Sequence, residues 1–171
     1  ITLGIKVYDI TNPTDIEEVD TIIERDNIKV QDMEVDDNLV YVGMGRSGLV
    51  SLNLTNITDI TEVNFEPSYD CFDIQIKDDL AILLTEDVLN LDYKLELVNI
   101  TDETSLTQIS EYFFIQNIPD EFIVSADAET LYLAMGKEGL VVLDISDQEN
   151  ISVITKFQDP HYVTFLIFVG V

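Results

Sequence analysis

Two aspartates occupy matching positions in two short runs of the sequence, and carboxylates placed in this way could do chemistry. Asp32 lies in VQDMEV and Asp73 lies in CFDIQI. If both runs are innermost strands of neighbouring units, the two side chains face a shared channel, where like charges could hold a cation or tune an acid. The alternative is that each carboxylate accepts hydrogen bonds from nearby backbone. Ile123, in the run EFIVSAD, breaks the series.

Four asparagines stand in N-x-S/T sequons, which accept N-linked sugars on secreted proteins. The sequons of Asn53 and Asn99 arise where a recurring Asp-x-Ser/Thr pattern has Asn in place of Asp, so they have a structural explanation. Asn56 and Asn150 lie outside that explanation, in turns that should be accessible. We therefore expect Asn56 and Asn150 to be the better candidates for N-glycosylation.

The segment GMGRSG, residues 43–48, satisfies the G-x-G-x-x-G pattern of dinucleotide-binding proteins. In those proteins the pattern leads into a helix whose amino end holds the pyrophosphate. Here Gly48 leads into GLVSLNL, a run that alternates like a strand. The sequence therefore predicts a turn here and no nucleotide site.

Few other residues have the types needed for catalysis or metal binding. Cys71 is the sole cysteine, which excludes an internal disulfide and a C-x-x-C site and favours a buried thiol. His161 is the sole histidine and has no partner motif that would make it a catalytic base. Asp-rich turns such as TNPTD and DET offer oxygen ligands, but no EF-hand pattern is present. We expect no catalytic residue and no cofactor, and calcium stays open.

The composition describes a folded and strongly acidic chain. Its 171 residues carry 34 Asp and Glu against 8 Lys and Arg, a formal net charge of -26, which repels nucleic acid phosphates and anionic lipids. The 46% hydrophobic content is enough for a core. The apolar segment YVTFLIFVGV is shorter than the ~20 residues of a membrane helix. We expect neither nucleic acid binding nor membrane insertion, and we expect the chain to be a fragment of a longer one.

A repeat explains most of the sequence. The segments GIKVYDITN, GLVSLNLTN, KLELVNITD and GLVVLDISD align on Asp9, Asn53, Asn99 and Asp144, which are 44, 46 and 45 residues apart. Such a period suits a four-stranded propeller blade or a pair of helices. Each repeat contains four short runs in which apolar and polar residues alternate, separated by turns with Gly, Asn and Asp. No helical periodicity is sustained. The repeat therefore predicts antiparallel four-stranded units.

The sequence predicts a single all-β domain over residues 1–171, organised like a β-propeller. Three complete blades are expected between two partial ones. The predicted blade boundaries are approximately 4–23 (partial), 30–66, 71–113, 121–158 and 161–171 (partial).

GLVVLDISD, GLVSLNLTN and IKVYDITNP resemble the LVIVD repeat, whose consensus runs Gly-Leu-Val-Ile-Val-Asp and then Ile-Ser-Asp-Pro. The copy that begins at residue 94 departs from it, since it lacks the Gly and has Asn99 for the acidic residue. The resemblance implies a β-propeller of microbial surface or secreted proteins. It implies no shared catalytic residues.

Three classes of function fit these observations. The first is a non-enzymatic extracellular or cell-surface scaffold for adhesion or assembly, whose partners are further copies of itself or other surface proteins. The apolar segment YVTFLIFVGV, residues 162–171, would be an unpaired edge strand. Either the first strand of the same protein covers it and closes the ring, or a neighbouring subunit covers it and builds an assembly by strand addition. The second is a ligand-binding or glycan-binding propeller, and the third is a hydrolase or oxidoreductase with a site in the central channel.

Overall fold

The computed structural model describes residues 2–26, 28–87, 92–114, 119–125, 127–158 and 163–164. Within these residues the chain forms fourteen β-strands. They are β1 Thr2–Asp9, β2 Glu17–Asp26, β3 Asp32–Asp36, β4 Leu39–Gly43, β5 Leu49–Asn53, β6 Thr61–Glu66, β7 Cys71–Lys77, β8 Leu80–Asp87, β9 Asp92–Asn99, β10 Thr107–Phe114, β11 Glu121–Val124, β12 Thr130–Ala134, β13 Leu140–Asp144 and β14 Ser152–Phe157.

The strands are organised as one hairpin and three sheets, all antiparallel. β1 pairs with β2, and the first, second and third sheets follow chain order as β3–β6, β7–β10 and β11–β14. β7 contacts β3 on one side and β11 on the other, so the first strands of the three sheets lie side by side. The predicted all-β class with four-stranded antiparallel sheets is confirmed. Of the fifth predicted unit, only residues 163 and 164 are described.

Apolar side chains fill three clusters, each made by two neighbouring elements. The first cluster joins the hairpin to the first sheet, the second joins the first and second sheets, and the third joins the second and third sheets. The middle strands contribute most, and every residue of β4 is buried. Because the first and second sheets each pack on both neighbours, their middle strands are nearly continuous runs of apolar residues.

The turn between the first two strands of each sheet requires a left-handed residue. Asp37, Asp78 and Ala128 hold this place, with φ angles of 49°, 52° and 57°. Asp tolerates this conformation better than most residues because its side chain bonds to local backbone, whereas Ala has no such compensation.

A double turn joins the third and fourth strand of every unit and accounts for the recurring Asp or Asn. The side-chain oxygen of Asn53 accepts a bond from the amide of Thr55 at 2.7 Å, and that of Asn56 accepts one from the amide of Thr58 at 3.2 Å. The same two bonds recur in the other three copies. Their acceptors are Asp9 and Asn12, Asn99 and Asp102, and Asp144 and Asp147.

The glycine motif of residues 43–48 forms the end of the β4–β5 hairpin, so the predicted turn is present. Gly45 has a φ of 53°, and its amide donates to the carbonyl of Cys71, the first residue of the second sheet, at 2.7 Å. Gly136, in the corresponding hairpin of the third sheet, pairs with Val163 in the same way. The motif therefore joins one sheet to the next.

Candidate functional site

Asp32 and Asp73 hold the same register position on the first strands of adjacent sheets. Asp32 pairs with Gly43, and Asp73 pairs with Leu84, the residue at the corresponding point of β8. Both carboxyl groups are half-buried. Since β3 lies against β7, the two side chains meet between the sheets.

Asp32 links the two strands through the backbone. Its Oδ2 accepts a hydrogen bond from the amide of Ile74 at 3.1 Å. The sequence analysis gave two possible roles for Asp32, a cation site and a hydrogen bond to nearby backbone. This contact is the second of them. Among the residues that the structure describes, no three His, Cys, Asp or Glu side chains are placed to hold a metal ion.

Asp73 completes the contact as a hydrogen-bonded acid. Burial, the hydrogen bond with Asp32 and the negative charge of Asp32 raise the pKa of Asp73 to about 7. Burial and the same charge raise the pKa of Glu34, two residues along β3. Below neutral pH the pair therefore holds a proton between two strands, with the protonated Asp73 donating to Asp32.

A third carboxylate lies in this series, and the alignment of the repeats within the sequence did not identify it. Glu121 pairs with Ala134 at the register position of Asp32 and Asp73, and its negative charge also raises the pKa of Asp73. The assignment of Ile123 to this position is wrong by two residues. The first hairpin of the third sheet runs from Ser125 to Thr130 and is two residues longer than its counterparts.

Gln75 joins the second sheet to the third. Its amide nitrogen donates to the carbonyl of Phe122 at 2.5 Å, and its amide oxygen accepts from the backbone of Val124 at 2.9 Å. One polar side chain on β3 and one on β7 thus reach the backbone of the next sheet. These bonds are structural, because they satisfy backbone groups on strands that share no ladder.

The sequon asparagines differ in exposure. Asn56, Asn99 and Asn150 are exposed, whereas Asn53 is half-buried at the end of β5. The Asn56 side chain also accepts from the Thr58 hydroxyl at 2.9 Å, so its amide nitrogen is turned away from that bond.

The remaining candidate residues are the cysteine and the histidine. Cys71 is buried, and burial raises the pKa of its thiol, so the thiol is unreactive in the folded protein. His161 lies outside the described residues. No helix in the described part of the chain is long and apolar enough to cross a membrane.

A groove between the first and second sheets contains a contact that no motif revealed. The guanidinium of Arg46 binds Glu86 with two hydrogen bonds, Nε to Oε2 at 2.8 Å and Nη2 to Oε1 at 2.7 Å. Beside it, the rings of Phe72 and Tyr93 meet edge to face with centroids 6.0 Å apart. Arg46 lies in the glycine hairpin, and its partners come from the other sheet.

Comparison with known proteins agrees with the fold. Residues 128–159 match the model of the LVIVD repeat, which confirms the resemblance seen in the sequence. A protein from Lactobacillus plantarum superposes with a TM-score of 0.68 at 15% identity, covering 91% of this chain and 51% of that one. The chain therefore spans about half the length of that protein.

The N-terminal domain of Nup159 superposes with a TM-score of 0.48 at 15% identity, over 77% of this chain and 31% of that one. No curated protein matches the sequence. The chain is a β-propeller-like repeat protein with four-stranded antiparallel sheets.

Proposed function

We propose that the chain is part of a non-enzymatic scaffold of the cell surface or extracellular space, which assembles through an exposed edge strand. The observation that carries this proposal is β14. It is the last strand of the third sheet, and all six of its residues are exposed. β6 and β10, at the same place in the other sheets, are partly covered, since Val63 of β6 and Ile109 of β10 pack in the clusters that join each of those sheets to the next.

The composition of β14 supports pairing with another chain. Val153, Ile154 and Phe157 are 42%, 55% and 60% exposed, so both faces of this strand present apolar groups. In the part of the chain that the structure describes, β14 pairs with β13 alone. Its outer edge therefore offers unpaired backbone groups and apolar side chains together, which is the requirement for strand addition.

One further feature supports an extracellular location, and a second supports assembly through specific contacts. Asn56, Asn99 and Asn150 are exposed in sequons, and an oligosaccharyltransferase acts on accessible asparagines. The formal net charge of -26 keeps copies soluble until specific contacts form.

Sedimentation velocity of the purified chain over a range of concentrations tests the assembly. We expect species above 19.4 kDa that dissociate on dilution. The double substitution Ile154→Lys and Phe157→Lys should abolish them, because it places charges on an edge that must approach another strand. Thr61→Lys with Thr107→Lys, at exposed positions on β6 and β10, is the matched control and should leave them intact.

The intact mass of the protein from its native source, before and after enzymatic removal of N-linked sugars, tests the location. A mass that falls on treatment supports secretion and occupied sequons. A wild-type chain that is monomeric at every concentration would contradict the assembly. A mass that does not change on treatment would mean that the sequons no longer support an extracellular location.

A ligand-binding or glycan-binding propeller is a second candidate, and the groove beside Phe72 and Tyr93 favours it. Aromatic rings next to a few polar groups are typical of ligand sites. An enzyme acting in the channel is a third class. Turnover in hydrolase or oxidoreductase screens that disappears in Asp32→Asn and Asp73→Asn would support it over the scaffold.

A further inference from the structure

We infer that the groove between the first and second sheets binds an acidic oligosaccharide through the aromatic pair Phe72 and Tyr93 and the cations Lys29 and Arg46. This inference rests on the second candidate function above and is independent of the scaffold. The groove has a volume of about 350 Å³, at the lower end of the range of small-ligand sites.

The aromatic pair provides an apolar facet that the fold leaves uncovered. Phe72 and Tyr93 are half-buried and line the groove from the second sheet. The C–H face of a sugar ring packs on such a facet, since it is the apolar part of an otherwise polar molecule. Phe72 is held there by a β-bulge, because it is the extra residue between Cys71 and Asp73 in the pairing of β7 with β8.

The groove also concentrates hydrogen-bond donors. Gln31 and Ser47 line it, and Lys29 and Arg46 bring two of the eight cationic side chains of the whole sequence. The fork with Glu86 fixes the guanidinium through Nε and Nη2 and leaves the other N–H groups of Arg46 to a ligand. Planar guanidinium groups held in this way suit carboxylates.

Charge decides which sugar the groove prefers. Glu86 is hydrogen-bonded to Arg46, and Asp70 lies close enough to interact with Arg46 through its charge, so these two carboxylates offset the two cations of the groove, on a chain of net charge -26. The attraction for a carboxylate therefore comes from Lys29 and from the N–H groups of Arg46 that Glu86 does not use, and a uronic acid unit combines this carboxylate with a C–H face. A neutral sugar would use only the aromatic facet and the uncharged donors.

Isothermal titration calorimetry with galacturonate oligosaccharides, and with neutral galactose oligosaccharides of the same length, tests the inference. We expect binding of the acidic series and affinity at least about tenfold weaker for the neutral series, the effect of one charge-assisted hydrogen bond. Lys29→Glu and Tyr93→Ala should each weaken acidic-series binding by a similar factor. Lys137→Glu, in the equivalent hairpin of the third sheet, is the matched control and should leave binding unchanged.

Equal affinity for both series, equal loss in Lys29→Glu and Lys137→Glu, or no heat with either series would overturn the inference. Circular dichroism of each variant shows that it is folded. None of these outcomes bears on assembly through β14, because that strand lies in the third sheet, away from the groove.

Discussion

The ammonium of Lys94 lies 2.6 Å from the carboxylate of Glu96, a side chain that is 3% exposed. The register places Lys94 where the first sheet has Gly48, and Glu96 where it has Val50. The hydroxyl of Thr85 also donates to Glu96 at 2.8 Å. The second sheet thus departs from its neighbours at two positions that compensate each other, since a buried carboxylate requires a partner.

Removing Lys94 alone should be costly. In Lys94→Met, Glu96 keeps the Thr85 bond but loses its counter-charge, and we expect the free energy of unfolding to fall by about 3 kcal/mol. The double variant Lys94→Met with Glu96→Val restores an apolar pair but leaves the buried Thr85 hydroxyl without its acceptor, so it should lie within about 2 kcal/mol of the wild type. Urea unfolding of the three proteins measures both values. Additive effects of the two substitutions would contradict a direct coupling.

Asp73 should make stability fall as pH rises. Its pKa is raised to about 7 in the folded protein, so the folded state binds more protons than the unfolded chain between about pH 4 and 7. The contribution is full below the unfolded pKa of about 4 and is lost as pH rises through 7. With a discount for partial exposure, it amounts to about 2 kcal/mol.

Asp73→Asn should therefore be more stable than the wild type at pH 8, since the amide donates to Asp32 without a proton to lose. Thermal unfolding from pH 5 to 8 measures the difference between the two proteins. Asp9→Asn is the control. Asp9 is half-buried and its pKa is lowered by bonds from Thr11, so its substitution should not alter the slope in this window. A parallel pH profile for Asp73→Asn would contradict the shared proton.

Ala128→Gly should stabilise the protein. Ala128 has a φ of 57°, which costs an L-residue about 1 kcal/mol that glycine does not incur. The gain is partly offset by the greater freedom of glycine in the unfolded chain, so we expect a net gain of about 0.5 kcal/mol. Ala134→Gly, within β12, should lose about 1 kcal/mol. Calorimetry of both variants checks the opposite signs.

Gly48→Ala should be more damaging than Gly45→Ala. At Gly48, φ is 103° and an added Cβ would lie 2.7 Å from the carbonyl oxygen of Glu66, which is backbone. At Gly45, φ is 53° and the nearest atom, 3.2 Å away, belongs to the exposed side chain of Gln31. We expect losses of about 3 and about 1 kcal/mol, respectively. Equal losses in urea unfolding would show that the close contact relaxes.

The sequence predicted the strands and turns because both depend on local pattern. The first turn of each pair follows from Asp or Asn two residues before Thr or Ser in all four copies, and Asp37 and Asp78 are residue types that suit the left-handed corner. Contacts between sheets were not predictable in this way. Arg46 and Glu86, or Gln75 and Phe122, are 40 or more residues apart and depend on how the sheets pack. Glu121 was missed because a hairpin two residues longer shifts the alignment of its strand.

Each element packs against its neighbours along the chain, and this arrangement determines how the protein unfolds. Among the described residues, each apolar cluster belongs to two adjacent elements, and the first and second sheets each contribute to two clusters. Nearest-neighbour coupling of this kind lets one element separate from the next while the others stay folded. The amides of the second sheet, which packs on both neighbours and has Cys71 buried at its start, should then exchange with solvent more slowly than those of the two-stranded hairpin.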